Sequence, residues 1–212
     1  MCFFDIHTHL VSDEMTCSDW SQNVLSLPVP LAAKHVSVGI HPWFLSEENT
    51  EAQLQKLREL LDDSRVVAIG EVGLDKLRGP AMDIQTTVFR QAIGLAEELG
   101  LPMVIHCVRA YPELLQLKKE QHPRQPWVIH GFRGKDTVTK ELLKHGCWLS
   151  FGEKFQEEAL RNVPLDKLLV ETDESEVSIE NIYRHVAEVR GIALDELVMA
   201  VKKNVQEVFF KC

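Results

Sequence analysis

Two histidines stand close together near the start of the chain, in the segment Asp5-Ile-His7-Thr-His9. Side chains alternate faces along an extended strand, so His7 and His9 would point to the same side, about 6 to 7 Å apart. Imidazole nitrogens are good ligands for zinc and related divalent cations. The segment therefore predicts part of a metal site, although a single His-x-His pair also fits a strand end with two partly exposed histidines.

Further histidines and carboxylates follow apolar segments elsewhere in the chain. Glu71 follows a strongly apolar run, and a carboxylate there is costly to bury unless it is paired or bound to a metal. His106 and His130 each end an apolar segment in the same way. In Glu171-Thr-Asp173, alternation places both carboxylates on one face, so either could be a ligand, with Asp173 nearer to the strand end.

Taken together, these side chains supply enough ligands for two divalent cations. We expect the first cation to be held by His7, His9 and Asp173. We expect the second to be held by His106 and His130. We expect Glu71 to bridge the two cations, which two-metal hydrolases hold roughly 3.5 to 4 Å apart. A metal-activated water would be the nucleophile, and Asp173 would orient or deprotonate it. The predicted chemistry is metal-dependent hydrolysis.

These residues can meet only if the elements that carry them end at one place. Short apolar strands alternate with amphipathic helices along the chain, which favours a parallel sheet of βαβ units. Seven strands are evident, and an eighth short strand is placed at residues 23–27. This count predicts an α/β protein with a (β/α)₈ TIM-type barrel, in which active sites form at the carboxyl ends of the strands. We expect one domain over residues 1–212.

Helix boundaries and one strand can be placed from periodicity and end signals. A helix is predicted over residues 47–61 with Ser46 as its cap, and another over residues 83–99 ended by Gly100. A buried strand is predicted over residues 65–69. Later helices are predicted over residues 112–120, 136–145, 156–162, 178–190 and 195–209.

Composition narrows the function classes. The net charge of -9 argues against a large nonspecific DNA footprint, although bound cations can still attract a phosphate to an active site. Five cysteines without a CxxC pair fit reduced thiols better than a disulfide framework. No signal-like start or membrane-spanning run is present, so we expect a soluble cytoplasmic protein with no membrane contact. No obligate protein partner is implied.

The order of the motifs resembles the TatD-like metal-dependent hydrolases of the amidohydrolase superfamily, over nearly the whole chain. The motifs are Asp5-x-His7-x-His9, Gly39-Ile-His41-Pro42, Gly70-Glu71-Val-Gly-Leu-Asp75, Val104-Ile-His106, His130-Gly-Phe-x-Gly134 and Glu171-Thr-Asp173. The resemblance implies a barrel hydrolase, often described as a deoxyribonuclease acting on phosphodiester bonds. The metal positions that it implies are His7, His9, Glu71, His106, His130 and Asp173. It places His41 near the site, in contact with substrate rather than metal.

Three departures from the family pattern affect the substrate side. Residues 11–34 are much shorter than the family's first helix and second strand, which predicts an eroded sector of the barrel. Asp173 is not followed by the proline-containing loop that the family usually has. The arginine commonly found two residues after the strand-end histidine is displaced to Arg109. We therefore expect the chemistry to be kept and the substrate-binding rim to be altered.

Candidate substrate contacts lie beside these motifs. The basic side chains available for a phosphate are Arg109, Arg133 and Lys154, which could equally serve solubility. The aromatic side chains that could stack a base, or simply pack the barrel mouth, are Trp43, Phe132 and Phe155.

The favoured prediction is a hydrolase that acts on phosphodiester or phosphate-ester bonds with two divalent cations. The ligand types suit Zn, Mn, Mg or Ni. The substrate would be a nucleic acid or a small phosphoester. One alternative keeps the metals but hydrolyses a small amide or ester. Another is a catalytically silent barrel that serves as a binding module, against which the retention of all six ligand types argues.

Overall fold

Eight parallel strands form one sheet in a computed structural model of the protein, which describes residues 2–9, 16–19 and 33–210. The strands are β1 (Asp5–Thr8), β2 (Thr16–Asp19), β3 (His35–Val38), β4 (Val66–Asp75), β5 (Met103–Val108), β6 (Trp127–Ile129), β7 (Trp148–Phe151) and β8 (Leu168–Val170). Their order in the sheet is their order in the chain. A bridge between Thr8 and Asp173 joins the end of β8 to β1, so the sheet curls back on itself. The (β/α)₈ TIM-type prediction is confirmed.

Helices alternate with the strands from β3 onward. They are α1 (Thr50–Leu60), α2 (Met82–Leu99), α3 (Tyr111–Gln121), α4 (Asp136–Lys144), α5 (Glu157–Asn162), α6 (Ile179–Arg190) and α7 (Leu194–Phe209), with short 3₁₀ turns at Pro42–Phe44 and Leu165–Lys167. The last two helices hold the ends of the sheet. Asn204 of α7 donates to the carbonyl of Leu168 at 2.8 Å, and the Tyr183 hydroxyl of α6 donates to the carbonyl of Phe4 at 2.8 Å.

The predicted helix ends agree with the structure except at α1. Gly100 takes the left-handed conformation, with φ 71°, that ends α2, as predicted. The prediction that Ser46 caps a helix starting at residue 47 is wrong, because α1 begins at Thr50. The Ser46 hydroxyl instead accepts from the backbone N–H of Asn49 at 3.3 Å, within the preceding turn.

The second strand is present but short, in the sector of the barrel that the sequence predicts to be eroded. β2 is only four residues long, and it pairs with β1 and β3. Its connection to β1, residues 9–15, is shorter than the dozen or so residues that a helical crossover needs. The strand predicted at residues 23–27 lies outside the described residues. The first connection is therefore short, as the departure from the family pattern predicts.

Strand β4 is longer than its apolar run indicates, and it continues to Asp75. Gly73 permits this, because it has φ 151° and a Cβ there would lie 1.9 Å from the carbonyl oxygen of His106. A glycine inside a strand often marks such a close approach of another backbone. The close pairing of Gly73 with His106 brings the ends of β4 and β5 together.

The core consists of apolar side chains from both the strands and the helices. The largest fully buried side chains include Trp127, Tyr183, Phe89, Phe132 and Phe151. Cys107 and Cys147 are buried free thiols, in keeping with the prediction of reduced cysteines. None of the described helices has the length and apolar character needed to cross a bilayer.

Candidate metal centre

The six predicted ligands converge on one place: five lie within three residues of the carboxyl ends of their strands, and Glu71 lies inside β4. His7 lies in β1, Glu71 in β4 and His106 in β5. The remaining three follow strand ends directly or within a few residues, namely His9, His130 and Asp173. Parallel strands in a barrel all end at the same rim, which is why residues far apart in sequence meet there.

Glu71 lies at the centre of this group and is only 4% exposed. Its Oε1 atom is 2.7 Å from His106 Nδ1, 2.7 Å from His130 Nε2 and 3.0 Å from His41 Nε2. Burial would raise the pKa of Glu71, but the charge of His130 and the three imidazole contacts outweigh it and hold this pKa well below its usual range. Glu71 is therefore an anion surrounded by nitrogen atoms.

A second group of ligand atoms faces the other carboxylate oxygen. His7 Nε2 and His9 Nε2 are 3.7 and 3.9 Å from Glu71 Oε2, and they are 3.8 and 3.3 Å from Asp173 Oδ1. The backbone N–H of Asp173 donates to the carbonyl of His7 at 2.9 Å, so barrel closure itself places this carboxylate beside β1. Asp173 holds a left-handed backbone conformation, with φ 58°.

The spacing of this second group fits ligands that share a cation. Most of these four nitrogen-to-oxygen separations are too long for hydrogen bonds. Ligand atoms about 2.0 to 2.2 Å from one tetrahedral cation stand roughly 3.3 to 3.6 Å apart. The His9–Asp173 pair, at 3.3 Å, falls in this range, and the other three pairs, at 3.7 to 3.9 Å, are slightly wider. Imidazole nitrogens combined with carboxylate oxygens suit several divalent metals. The residues present therefore fit a divalent cation.

Several sets of ligand atoms lie within 4.8 Å of one another. The sets are His7 with Glu71 and His130, His7 with His9 and Asp173, His41 with Glu71 and His106, and His130 with Glu171 and Asp173. Glu71 belongs to two of the sets, so its two oxygens can serve two neighbouring positions.

Asp75 supports His106 from the side opposite Glu71, a contact that the sequence reasoning did not identify. The buried Asp75 carboxylate lies 3.0 Å from His106 Nε2 while Nδ1 faces Glu71. A carboxylate on the second ring nitrogen of a metal-binding histidine fixes the ring orientation and increases its basicity. The available signal was alternation along β4, which puts residues 71 and 75 on one face.

Glu171 occupies the equivalent position behind His130. It is fully buried, and its Oε1 accepts from the backbone N–H of Gly131 at 2.5 Å and lies 3.4 Å from His130 Nδ1. Asp173 is more open, with its side chain 27% exposed. Both carboxylates offer an oxygen near His130, but Glu171 is buried and Asp173 is open to the cleft.

His41 is buried and its ring nitrogens are both engaged. Its Nδ1 accepts the backbone N–H of Trp43 at 3.1 Å and so caps the 3₁₀ turn Pro42–Phe44. In a neutral ring the proton then lies on Nε2, which faces Glu71 Oε1. His41 thus donates toward the central carboxylate.

A cleft of about 650 Å³ opens over these residues. Its lining includes Arg109 and Arg133, the two predicted phosphate contacts, together with His106, His130 and Asp173. Lys154 lines an adjoining hollow of about 250 Å³, which shares Arg133 and Glu174 with the cleft. The cleft therefore offers two guanidinium groups beside the ligand cluster.

The three candidate stacking residues differ in position. Phe132 is buried against Tyr111 and Phe151, so it packs the barrel mouth. Phe155 is partly buried, with its ring stacked on His185 at 5.1 Å between centroids. Trp43 is 40% exposed and lines the cleft.

Comparison with known proteins agrees with this geometry. The family model "TatD related DNase" matches residues 7–210. The Bacillus subtilis (strain 168) protein "Uncharacterized metal-dependent hydrolase YabD" is 31% identical over 198 residues, which cover 82% of this chain and 77% of that protein. The Erwinia amylovora protein "3'-5' ssDNA/RNA exonuclease TatD" is 30% identical over 221 residues, covering 89% of this chain and 83% of that one.

A solved structure is similar in fold. The crystal structure of YjjV, a TatD homologue from Escherichia coli K12, superposes with a TM-score of 0.76 at 23% identity, and the match covers 93% of this chain and 86% of that one. The family match extends over all six converging side chains, from His7 to Asp173. By its sequence, and with the fold and ligand cluster in agreement, the chain belongs to the TatD-related DNase family.

Proposed function

We propose that the protein is a hydrolase that uses divalent cations to cleave phosphodiester bonds of nucleic acid. The observation that carries the proposal is the convergence of His7, His9, Glu71 and Asp173. Each imidazole Nε2 lies 3.3 to 3.9 Å from one oxygen of each carboxylate, close to the spacing of ligands around one cation. Relatives named as nucleases support the choice of substrate.

The proposal divides the ligands between two cations. His7, His9 and Asp173, whose ligand atoms lie within 4.8 Å of one another, would hold one. His106 and His130, each with a ring nitrogen 2.7 Å from Glu71 Oε1, would hold the other, and Glu71 would contribute to both. We propose two cations, each of them Zn, Mn, Mg or Ni. When bound, such cations supply an activated water and polarise the scissile ester bond.

The chain's own groups would position and move protons. Burial would raise the pKa of Asp173, but hydrogen bonding from His9 and the charge of His7 lower it, so this carboxylate stays ionised, the form that a general base requires. It is also the more accessible of the two acidic ligands. Arg109 and Arg133 would hold the phosphate from the cleft wall, because guanidinium groups match phosphate oxygens geometrically.

Hydrolysis of a small ester or amide is the second candidate. The observation that favours it is the net charge of -9, which repels long polyanions. The same ligand cluster would serve, and the difference would lie in the cleft wall. A silent binding barrel is the third candidate, and it predicts that the protein takes up no metal.

The test is turnover after metal removal and reconstitution separately with Zn, Mn, Mg and Ni. We expect metal-dependent cleavage of single-stranded oligonucleotides, and a drop of about 10-fold or more for Arg133→Ala if it makes a charge-assisted phosphate contact worth ~1.5 to 3 kcal/mol. Arg124→Ala is the matched control, because Arg124 is 81% exposed and pairs with Glu97 away from the cleft.

Each rival has its own outcome in this assay. Turnover of a panel of small esters and amides, without cleavage of any oligonucleotide, would support the second candidate and overturn the first. Failure to take up any of the four metals, measured by elemental analysis, would support the silent barrel. Equal activity of Arg133→Ala and wild type would show that the proposed phosphate contact is wrong.

A further inference from the structure

Trp43 is an exposed aromatic residue that is nevertheless held in place. It lies in the 3₁₀ turn that follows His41, and 40% of it is open to solvent. Its indole N–H donates to Asp75 Oδ2 at 2.6 Å, which uses the only donor on the ring. Because Asp75 is itself buried, this hydrogen bond fixes a large apolar surface at the rim.

A second contact holds the indole from one of its faces. The guanidinium carbon of Arg78 lies 4.3 Å from the ring centroid, in a cation–π arrangement. Arg78 is not among the described residues that line the cleft, whereas Trp43 is. The exposed part of the indole therefore borders the cleft, beside the rings of His41 and His106.

The same hydrogen-bonded carboxylate connects the indole to the metal centre. Asp75 Oδ2 lies 3.0 Å from His106 Nε2, and the rings of Trp43 and His106 have centroids 5.6 Å apart. A planar group resting on the indole would thus lie beside His106, one of the candidate ligands. The cleft wall also carries Arg109 and Arg133, which suit a phosphate attached to such a group.

We propose that Trp43 is the stacking surface for an unpaired nucleobase next to the scissile phosphate, held rigid by Asp75 and Arg78. The inference rests on the proposed function and names its substrate as a single strand, since a base inside a duplex has both faces covered by its neighbours. Stacking on an aromatic ring tolerates any base. A ring that is already immobile loses little conformational entropy on binding.

The test measures affinity separately from turnover. Wild type, Trp43→Ala and Trp43→Phe are titrated with a labelled oligothymidylate carrying hydrolysis-resistant phosphorothioate linkages, and with an abasic oligomer of the same length and charge. The matched control is Phe44→Ala, because Phe44 is also 40% exposed and adjacent but is not among the described residues lining the cleft. Cleavage of the normal oligothymidylate is followed in parallel.

We expect Trp43→Ala to weaken binding of oligothymidylate about 5- to 150-fold, which corresponds to ~1 to 3 kcal/mol for one stacked base. Binding of the abasic oligomer should not change, Trp43→Phe should be intermediate, and Phe44→Ala should match wild type. In cleavage assays the loss should appear in KM more than in kcat.

The inference and the proposed function fail in different ways. If wild type binds both oligomers equally, or binds neither, or if Trp43→Ala weakens both alike, the stacking surface is wrong whatever the activity. Cleavage that is the same in Trp43→Ala and wild type would also overturn it while leaving the hydrolase intact. Binding that depends on both the base and Trp43, without any cleavage, would keep the stacking surface and overturn the hydrolase.

Discussion

Glu171 and Asp173 are two acidic residues separated by one position, and their different surroundings indicate different roles. Glu171 is fully buried behind His130, whereas Asp173 shares the open side of the centre with His7 and His9. A residue that only orients a ligand tunes metal affinity, whereas a residue that binds the cation and handles the proton affects the chemical step directly. The two substitutions should therefore behave differently.

We predict that Glu171→Gln lowers metal affinity about 10- to 100-fold, the usual cost of losing a partner behind a metal-binding histidine, while turnover recovers at saturating metal. The glutamine oxygen can still accept from the Gly131 N–H, so folding should survive. Asp173→Asn should instead keep a large loss of kcat at saturating metal.

Metal titration followed by elemental analysis and turnover separates these outcomes. Glu141→Gln is the control, because Glu141 is about half exposed and contacts only His145 among the ion pairs of the described chain. The assignment would be reversed if Glu171→Gln lost kcat irrecoverably and Asp173→Asn were rescued by added metal.

At the scale of elements, the pairing of β4 with β5 determines whether Glu71 and His106 meet. The close approach depends on Gly73, where any Cβ would collide with the backbone of His106. The collision involves a backbone oxygen rather than a flexible side chain, so the strands themselves would have to separate. The hydrogen bond between the two site residues spans 35 positions of sequence, and this strand pair is what closes that distance.

We predict that Gly73→Ala lowers the free energy of unfolding by more than about 2 kcal/mol and reduces bound metal. The added Cβ would strain the backbone of β4 and push His106 away from Glu71. Gly94→Ala is the matched control, since Gly94 lies exposed in α2 and a Cβ added there would meet no neighbouring atom within 4 Å. That change should stabilise the protein by ~0.5 to 1 kcal/mol.

Urea unfolding of both variants, with metal content measured on the same samples, checks this expectation. A Gly73→Ala protein as stable as wild type, with full metal content, would mean that the strands can part without disturbing the site.

At the scale of the whole molecule, the acidic charge and the local cleft act in opposite directions on a polyanion. The net charge is -9, yet Arg109 and Arg133 face the ligand cluster. One continuous sheet connects all the described strands, which supports our proposal of a single domain. Substrate attraction should therefore come from the cleft alone and not from an extended basic surface.

We predict a shallow salt dependence of single-strand binding. Each phosphate neutralised contributes about -0.7 to the slope of log K against log salt, so two arginine contacts give about -1.4. Titrations with the hydrolysis-resistant oligothymidylate from low to moderate KCl measure this slope. A slope steeper than about -3 would require an additional basic surface and would contradict the prediction.

Local patterns were enough to predict the ligand types and the barrel. Strand alternation puts His7 and His9 on one side, and helical periodicity with Gly100 gives α2 its end, because these properties depend on neighbours in the chain. The start of α1 was misplaced, because the turn that takes up Ser46 competes with the helix for the same backbone groups. Such competition is decided by contacts that a periodic pattern does not contain.

The sequence by itself determined the fold class and singled out six side chains that the fold brings together as candidate ligands. Only the tertiary structure decided which atoms face each other: Asp75 against both His106 and Trp43, and Glu171 behind His130. The physical reason is that alternation assigns a side chain to a face, whereas its distance from a residue on another strand depends on sheet register and barrel closure.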